Sequence, residues 1–424
     1  MSSPVQVLER VLHEGRPNLS GIRIRPWEFM NYYSFPYPAA EAGTVAIAAE
    51  LDNGPDTGDP GTERYRMQLA VSSEQVTPEA RASMNVTLVL DTSGSMTGEP
   101  IALLRESCKA IAASLKAGDN VSVVEWDTAN AVHLANHAIT GPNDPALIDV
   151  IDKLESGGGT DLHGGLSAGY ELAYNVWASD RINRVVIVSD GGANVGITSV
   201  DLISEHAELN GQDGIYLVGV GVGGNGYNDD LMDRMTDAGK GASVFIHDEA
   251  EAWHIFRDSF ASTMQVAARD VQVELHLPPS FELVKFSGEE SSTDPEEVEP
   301  QHLAPNDAMV FYQELDTCDP DSITPETEFT VTARYKDAIS FEAREVAQTF
   351  TFGELLGQDP LLWPKGAAVL AYAQALRRYK KADGNDAQAE ALAPAFAAVE
   401  QAQSVLPEDA ELQQIARVLD ELAK

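Results

Sequence analysis

Basic residues are scarce in this chain. Its 424 residues include 28 Lys and Arg against 67 Asp and Glu, which gives a formal net charge of -39. A surface of this sign repels phosphate groups, so nucleic acid and anionic membranes are disfavoured as partners. Two explanations of the acidity stay open: adaptation to a saline habitat, where carboxylates keep water at the surface, and generic solubility.

Cysteines and long apolar runs are also scarce. Cys108 lies in a helical pattern and Cys318 in a polar loop, so neither a disulfide nor a zinc site is supported. No window approaches the roughly 18 consecutive apolar residues of a membrane-spanning helix. The N-terminus has no basic region followed by an apolar stretch, unlike a secretory signal. We therefore expect a cytoplasmic protein, or a periplasmic or surface protein if a leader has been removed.

Residues 86–96, VTLVLDTSGSM, combine a strand pattern with oxygen-bearing side chains. An apolar run ends at Asp91, and Ser93 and Ser95 follow at spacings of two and four. Gly94 permits a sharp turn there, so the three side chains can converge at the carboxyl end of a strand. Oxygen ligands suit a hard cation such as Mg2+, Mn2+ or Ca2+. An ordinary turn with a helix N-cap would use the same residue types.

Two further loops carry similar groups. Residues 156–162, SGGGTDL, present Thr160 and Asp161 before a helical pattern, and residues 185–194, VVIVSDGGAN, form a second apolar strand that ends at Asp190. In open α/β sheets, ligands bind outside the carboxyl ends of the strands. Two roles stay open for Asp161. It either supports the metal ligands from outside the shell or lies at the helix N-terminus as a favourable charge.

The three loops together resemble the metal-ion-dependent adhesion site of the von Willebrand factor type A domain. The motif is DxSxS, then a Thr in a second loop and an Asp in a third, and it is matched here by Asp91, Ser93, Ser95, Thr160 and Asp190. The resemblance spans residues 83 to 265 and implies a doubly wound, mainly parallel, Rossmann-like sheet. It also implies Mg2+, or Mn2+ or Ca2+ in its place. The hydroxyls would coordinate the ion directly, and the two aspartates directly or through water.

The ligand set favours binding over catalysis. Two carboxylates and three hydroxyls leave a cation electrophilic, with a position that a partner's Glu or Asp can fill. The resemblance therefore implies a metal-dependent protein-binding module for adhesion or scaffolding, and no enzyme. A scaffold whose metal site is structural or filled from within the chain is the alternative. A metal-assisted hydrolase would need a base and a nucleophile, and neither is evident.

Other enzyme and ligand motifs are weak. Gly219, Gly221 and Gly224 imitate a dinucleotide fingerprint, but the surrounding pattern favours a close-packed strand end. His133 and His137 are spaced as a helical metal pair, yet their context indicates a strand hairpin. His163 is expected at a helix start near the rim of the proposed site.

The flanks indicate further structure. Residues 22–38, IRIRPWEFMNYYSFPYP, resemble a segment that precedes the type A domain in a bacterial family with a C-terminal extension. We expect this segment to pack its aromatic residues on the body, although a peptide-like ligand role is open. Strand patterns lie on both sides of the type A region, so we predict that it is inserted in, or joined to, one antiparallel β-sandwich.

These patterns divide the chain into five regions, which end in a helical appendage. They are 1–40, an N-terminal helix and aromatic segment; 41–82, the first sandwich strands; 83–268, the type A domain; 269–353, the remaining strands; and 354–424, the helices.

Overall fold

The computed structural model describes residues 2–15, 18–59, 61–191, 214–223 and 229–424. Residues 192–194 and Gly224, which the sequence analysis discusses, lie outside the described residues. The chain divides into two compact units, one formed by residues 76–265 and the other by residues 3–75 together with 266–424. The boundaries of the five regions given above stay a prediction.

Strands and helices are numbered in chain order within the described residues. The strands are β1 Ala46–Asn53, β2 Glu63–Ser72, β3 Met84–Asp91, β4 Asn120–Trp126, β5 Asn130–Ala138, β6 Ile182–Ser189, β7 Ile215–Val222, β8 Ser243–Ile246, β9 Ala268–His276, β10 Glu282–Phe286, β11 Gln301–Leu303, β12 Ala308–Thr317, β13 Glu328–Asp337 and β14 Ala343–Thr351. The α-helices are α1 Ser2–Leu8, α2 Pro26–Tyr32, α3 Glu99–Ser114, α4 Pro145–Lys153, α5 Leu162–Asn175, α6 Asp229–Ala238, α7 Glu249–Trp253, α8 Phe260–Met264, α9 Phe352–Gly357, α10 Trp363–Tyr379, α11 Asn385–Val405 and α12 Ala410–Leu422.

The unit of residues 76–265 is built on one sheet with the strand order β5-β4-β3-β6-β7-β8. The pair β4 and β5 is antiparallel, and the remaining neighbours are parallel. All eight residues of β3 are buried. A parallel strand covered on both faces is a continuous apolar run, which is why residues 86–90 show no alternation. The predicted α/β fold with a mainly parallel sheet is confirmed.

Helix α5 packs unusually close to this sheet because two of its residues are glycines. A Cβ at Gly165 would lie 2.4 Å from the Trp126 ring, and a Cβ at Gly169 would lie 2.3 Å from Cγ2 of Val89. Both distances are far below van der Waals contact. The glycines therefore let the helix backbone rest directly on the ends of β3 and β4.

The other unit contains two antiparallel sheets. Their strand orders are β1-β2-β12-β10 and β11-β9-β13-β14. Strand β2 pairs with β12 from Ser72 opposite Ala308 to Glu63 opposite Thr317. Tyr65 from the first sheet and Phe329 from the second share one apolar core. The prediction that the N-terminal strands join the later ones in one sandwich is confirmed.

The chain leaves and re-enters the sandwich at neighbouring places. The Ser73 N–H donates to the Asp307 carbonyl at 3.0 Å, and the Ala267 N–H donates to the Leu303 carbonyl at 2.8 Å. One short segment, residues 303–307, thus holds both ends of the inserted sequence.

The aromatic N-terminal segment and the C-terminal helices share a core with the sandwich. The Phe29 ring meets the Tyr372 ring edge-on, with centroids 5.4 Å apart, and Ala70 and Val310 of the sheet belong to the same cluster. The expected packing role is confirmed. The segment contains helix α2, which begins at Pro26, a position where the missing N–H costs nothing. Pro394 lies inside the continuous helix α11.

Within the described residues, no helix has both the length and the apolar character needed to cross a bilayer.

Replacing Gly169 by Ala should destabilise the unit of residues 76–265. The added methyl group would overlap Val89, so α5 must move off the sheet at a cost of about 1–3 kcal/mol. Urea-induced unfolding measures this change. Gly141→Ala is the matched control because nothing lies within 4 Å of its added Cβ. Equal stability of the two variants would contradict the proposed close packing.

Candidate metal centre

Asp91 is the most deeply placed of the predicted ligands. It ends β3, in the interior of the sheet, and its side chain is 0% exposed. Its Oδ1 accepts a hydrogen bond from the Ser93 N–H at 2.9 Å, and its Oδ2 accepts one from the Ser189 Oγ at 2.6 Å. Burial raises the pKa of Asp91 to about 6, although both serines lower it; the nearby Asp190 raises it further. The carboxylate is held in one orientation and poorly solvated.

The two serines lie on the turn that follows β3. Ser93 is fully buried, whereas Ser95 is exposed, and their Oγ atoms are 3.1 Å apart. The turn is a short 3-10 helix, Gly94–Met96, which leads into α3. The spacing of two residues therefore brings both hydroxyls to one place, as the sequence predicts.

The second loop is joined to the first by backbone hydrogen bonds. The Gly157 N–H donates to the Thr92 carbonyl at 2.7 Å, and the Gly94 N–H donates to the Gly158 carbonyl at 3.2 Å. Thr160 is buried in this loop, at 2% exposure. Asp161 is the N-cap of α5, since its Oδ1 accepts from the Gly164 N–H at 3.0 Å. Of the two roles open for Asp161, the structure shows the helix cap.

The third loop begins at the end of β6, the neighbour of β3. Leu90 pairs with Val188, so the ends of the two strands lie side by side. Asp190 follows Ser189 directly and is half-buried. The five predicted positions are thus distributed over three loops at the carboxyl edge of the parallel sheet.

Sequence reasoning missed two supporting residues. Ser189 orients Asp91, and Thr128 accepts a hydrogen bond at its Oγ1 from the Gly159 N–H at 2.6 Å. A signal existed for Ser189, since it is the polar end of a buried run immediately before a predicted ligand. Thr128 gave no signal, because 31 residues separate it from the glycine loop that it supports.

The remaining histidine candidates lie apart from this centre. His133 Nε2 lies 2.5 Å from Oε2 of Glu125, and His137 Nε2 lies 2.9 Å from Oδ1 of Asp144. Both histidines are on strand β5, as the hairpin pattern predicts, and their different carboxylate partners argue against a shared metal. His163 lies in the first turn of α5, where a helix start is predicted.

The cysteines behave as the sequence predicts. Cys108 is buried in α3, and burial raises the pKa of its thiol to about 12. Cys318 is exposed, and both thiols are free. The predicted close-packed end of β7 is also found, since a Cβ at Gly219 would lie 2.5 Å from Cγ2 of Thr236.

The donor set fits a hard divalent cation. All five side chains offer oxygen, and within the described residues no Lys, Arg or His forms an ion pair with the buried Asp91. An uncompensated buried carboxylate is costly, and a bound cation is one of the arrangements that neutralises it. The paired hydroxyls of Ser93 and Ser95 add neutral ligands beside it.

Comparison with known proteins agrees with the fold of the unit of residues 76–265. Residues 85–258 match the family model of the von Willebrand factor type A domain. The chain contains a von Willebrand factor type A domain. Such domains generally mediate protein–protein interactions.

A solved structure shares the fold over most of the chain. This von Willebrand factor type A protein, from Catenulispora acidiphila, superposes with a TM-score of 0.51 at 18% identity, covering 88% of this chain and 89% of that one. The match extends well beyond residues 85–258.

The curated relatives match this chain over only part of their own length. The chain is 26% identical over 284 residues to the uncharacterized protein YfbK of Escherichia coli (strain K12), covering 65% of this chain and 48% of that protein. It is 25% identical over 236 residues to the uncharacterized protein sll0103 of Synechocystis, covering 55% and 54%. Inter-alpha-trypsin inhibitor heavy chain H2 of Mesocricetus auratus is 25% identical over 196 residues, covering 44% and 20%. The chain therefore spans about half the length of the first two relatives.

Replacing Ser189 by Ala should destabilise the metal-free type A domain. The Oδ2 atom of buried Asp91 would lose its hydrogen-bond donor and the Gly191 N–H would lose its acceptor, at a combined cost of about 1–3 kcal/mol. Urea-induced unfolding in chelator measures the loss. Ser107→Ala is the control, since that buried hydroxyl donates only to the Leu103 carbonyl within its own helix. If both variants lose the same stability, Ser189 has no special role in holding the carboxylate.

Proposed function

We propose that this protein is a metal-dependent binding module whose type A domain recognises an acidic side chain of a partner protein. Asp91, Ser93, Ser95, Thr160 and Asp190 would hold the cation, with Mg2+ favoured and Mn2+ or Ca2+ as alternatives. When bound, the cation would supply an electrophilic centre to which a partner's Glu or Asp can coordinate.

The observation that carries the proposal is the state of Asp91. Its carboxylate is fully buried, oriented by Ser93 and Ser189, and lies beside paired hydroxyls with no cationic side chain in contact among the described residues. A purely structural aspartate can bond the backbone N–H two residues on, as Asp91 does with Ser93, but its charge would then be expected to face water or a base. Among the described residues, the charge of Asp91 faces neither.

The proposed ligands would have two different roles in binding the cation. Asp91 and Asp190 would provide negative charge to attract the cation, while the three hydroxyls would provide neutral oxygens. A site with few anionic ligands leaves the cation able to attract another carboxylate. The backbone bonds that join the first two loops would keep their ligands in register with each other.

We assign no catalytic activity to the proposed metal site. A hydrolase of this kind would need a positioned base and an activated nucleophile beside the cation. His163 is the histidine nearest in sequence to a proposed ligand, and its pattern and position are those of a helix-start residue. The remaining alternative is a scaffold in which the chain itself completes the metal shell or the site is purely structural.

Calorimetric titration of chelator-treated protein with Mg2+ and Mn2+ should show saturable binding at one site. Ser93→Ala and Asp190→Ala should each abolish or greatly weaken it, because each removes a proposed ligand.

Ser156→Ala provides the matched control. Ser156 is in the same glycine loop as Thr160, but its Oγ lies 3.0 Å from Oγ1 of Thr97. This variant should bind metal as the wild type does. Folded wild type that binds neither ion would contradict the proposal and favour a structural role for the motif.

A further inference from the structure

The sandwich unit contains a cleft whose charge is opposite to that of the chain. Its volume is about 480 Å³. Four basic side chains and two aromatic rings line it, and we call it the basic cleft: Lys285, Arg377, Arg378, Lys381, Trp27 and Phe286. The chain has only 28 basic residues against 67 acidic ones, so this grouping is a marked local reversal of the net charge.

Helix α10 and the turn after it form one wall. Leu370, Gln374, Arg377, Arg378 and Lys381 line the cleft at spacings of four, three, one and three, which places them on one face of the helix. The basic end also suits the helix dipole, which favours cations near a C-terminus. A dipole effect alone explains the sign of these charges, but it does not explain a facing wall that carries another lysine and two aromatic rings.

The opposite wall comes from the start of α2 and the end of β10. Trp27 is the second residue of α2, and the cleft is also bordered by Phe286, Ser287 and Gly288. The Phe286 ring stacks on Phe311, with centroids 6.2 Å apart. A fixed ring and a half-buried indole thus present apolar surface beside the charges.

The basic groups are largely available for a ligand. Lys285 is paired with Glu314 at 2.5 Å. Arg377, Arg378 and Lys381 are exposed, and in the part of the chain that the structure describes their side chains form no ion pair or hydrogen bond. Three unpaired cations in a cleft create a positive potential that the low-dielectric walls strengthen.

In the described part of the chain, the acidic loop of residues 289–300 forms no ion pair with these cations. This loop follows Gly288 directly, and two of its carboxylates accept hydrogen bonds from neutral groups at the far end of the loop and the start of β11. Glu289 Oε2 accepts from Gln301 Nε2 at 3.0 Å, and Glu290 Oε2 accepts from the Glu299 N–H at 2.9 Å. Acidic residues are close in sequence, yet among the described residues none of them forms an ion pair with Arg377, Arg378 or Lys381.

We propose that the basic cleft binds a short acidic segment of a partner protein that also carries an apolar side chain. Carboxylates would contact Arg377, Arg378 and Lys381, while the apolar side chain would lie against Trp27 and Phe286. The cleft is the size of sites that hold a few residues or a small ligand. A long nucleic acid is disfavoured because its phosphates beyond the cleft would meet the acidic surface.

Fluorescence anisotropy of a fluorescein-labelled peptide, EEFEEE, tests this assignment. Excess EDTA in every sample prevents the peptide from binding through a metal ion. The measured binding is therefore independent of the type A site. Wild type should show saturable binding that weakens with added salt. The peptide EEAEEE should bind more weakly, because its central side chain offers little apolar surface to the two rings.

The decisive variant is the double charge reversal Arg377→Glu and Arg378→Glu. It should weaken binding about tenfold or more, since opposite charges would become like charges at the contact. The matched control, Lys153→Glu with Lys424→Glu, changes the net charge equally at side chains that are 71% and 69% exposed. The control should bind as wild type does. Circular dichroism and urea unfolding should be unchanged in both, since the altered residues are exposed.

Three results would overturn the proposal. The first is absence of saturable binding by folded wild type. The second is equal weakening in the control variant, which would indicate a response to overall charge. The third is preferential binding of pyrophosphate or a single-stranded oligonucleotide over the peptide, which would assign the cleft to phosphate ligands.

Discussion

The proposed metal chemistry of this protein depends on a buried carboxylate at the end of a strand that has parallel neighbours on both sides. Such a strand is covered on both faces, so the charge of Asp91 cannot be solvated well. The surroundings compensate by orienting it with Ser93 and Ser189, and by joining adjacent loops through backbone bonds. The glycines of α5 contribute by bringing that helix, and the loop before it, close to the sheet. The same packing therefore supports both the fold and the proposed metal centre.

The sequence predicts the parts of this arrangement that are encoded locally. An apolar run ending in Asp91, the spacing of its serines and the second run ending in Asp190 indicate polar side chains at strand ends, and their resemblance to the type A motif implies the doubly wound sheet. The pairing of β2 with β12 follows from a more general constraint, since isolated strands cannot form a stable sheet. Helix α2 was not predicted, because its aromatic and proline residues favour an extended chain and its stability comes from packing against the C-terminal helices.

Contacts between distant segments account for what the sequence does not predict. Thr128 supports the glycine loop, and the basic cleft combines side chains from α2, β10 and α10 that lie far apart in the chain. The basic cleft also shows that the net charge does not describe every part of the surface. A charge of -39 repels acidic partners at a distance, whereas the proposed cation centre and the basic cleft would attract them locally. Salt screens the long-range repulsion more than it weakens a contact at a buried cation, so a saline medium would favour recognition at the proposed metal centre. At the exposed cations of the basic cleft, added salt would weaken binding.

Anomalous diffraction from crystals grown with Mn2+ would test the central claim most directly, because it locates the ion and its ligands together. The account predicts one strong peak among the oxygens of Ser93, Ser95 and Thr160, with Asp91 and Asp190 bound directly or through water. One position should be filled only by water or by a neighbouring molecule. A peak elsewhere, no peak, or a shell completed by the chain's own side chains would contradict the proposed recognition of a partner's carboxylate.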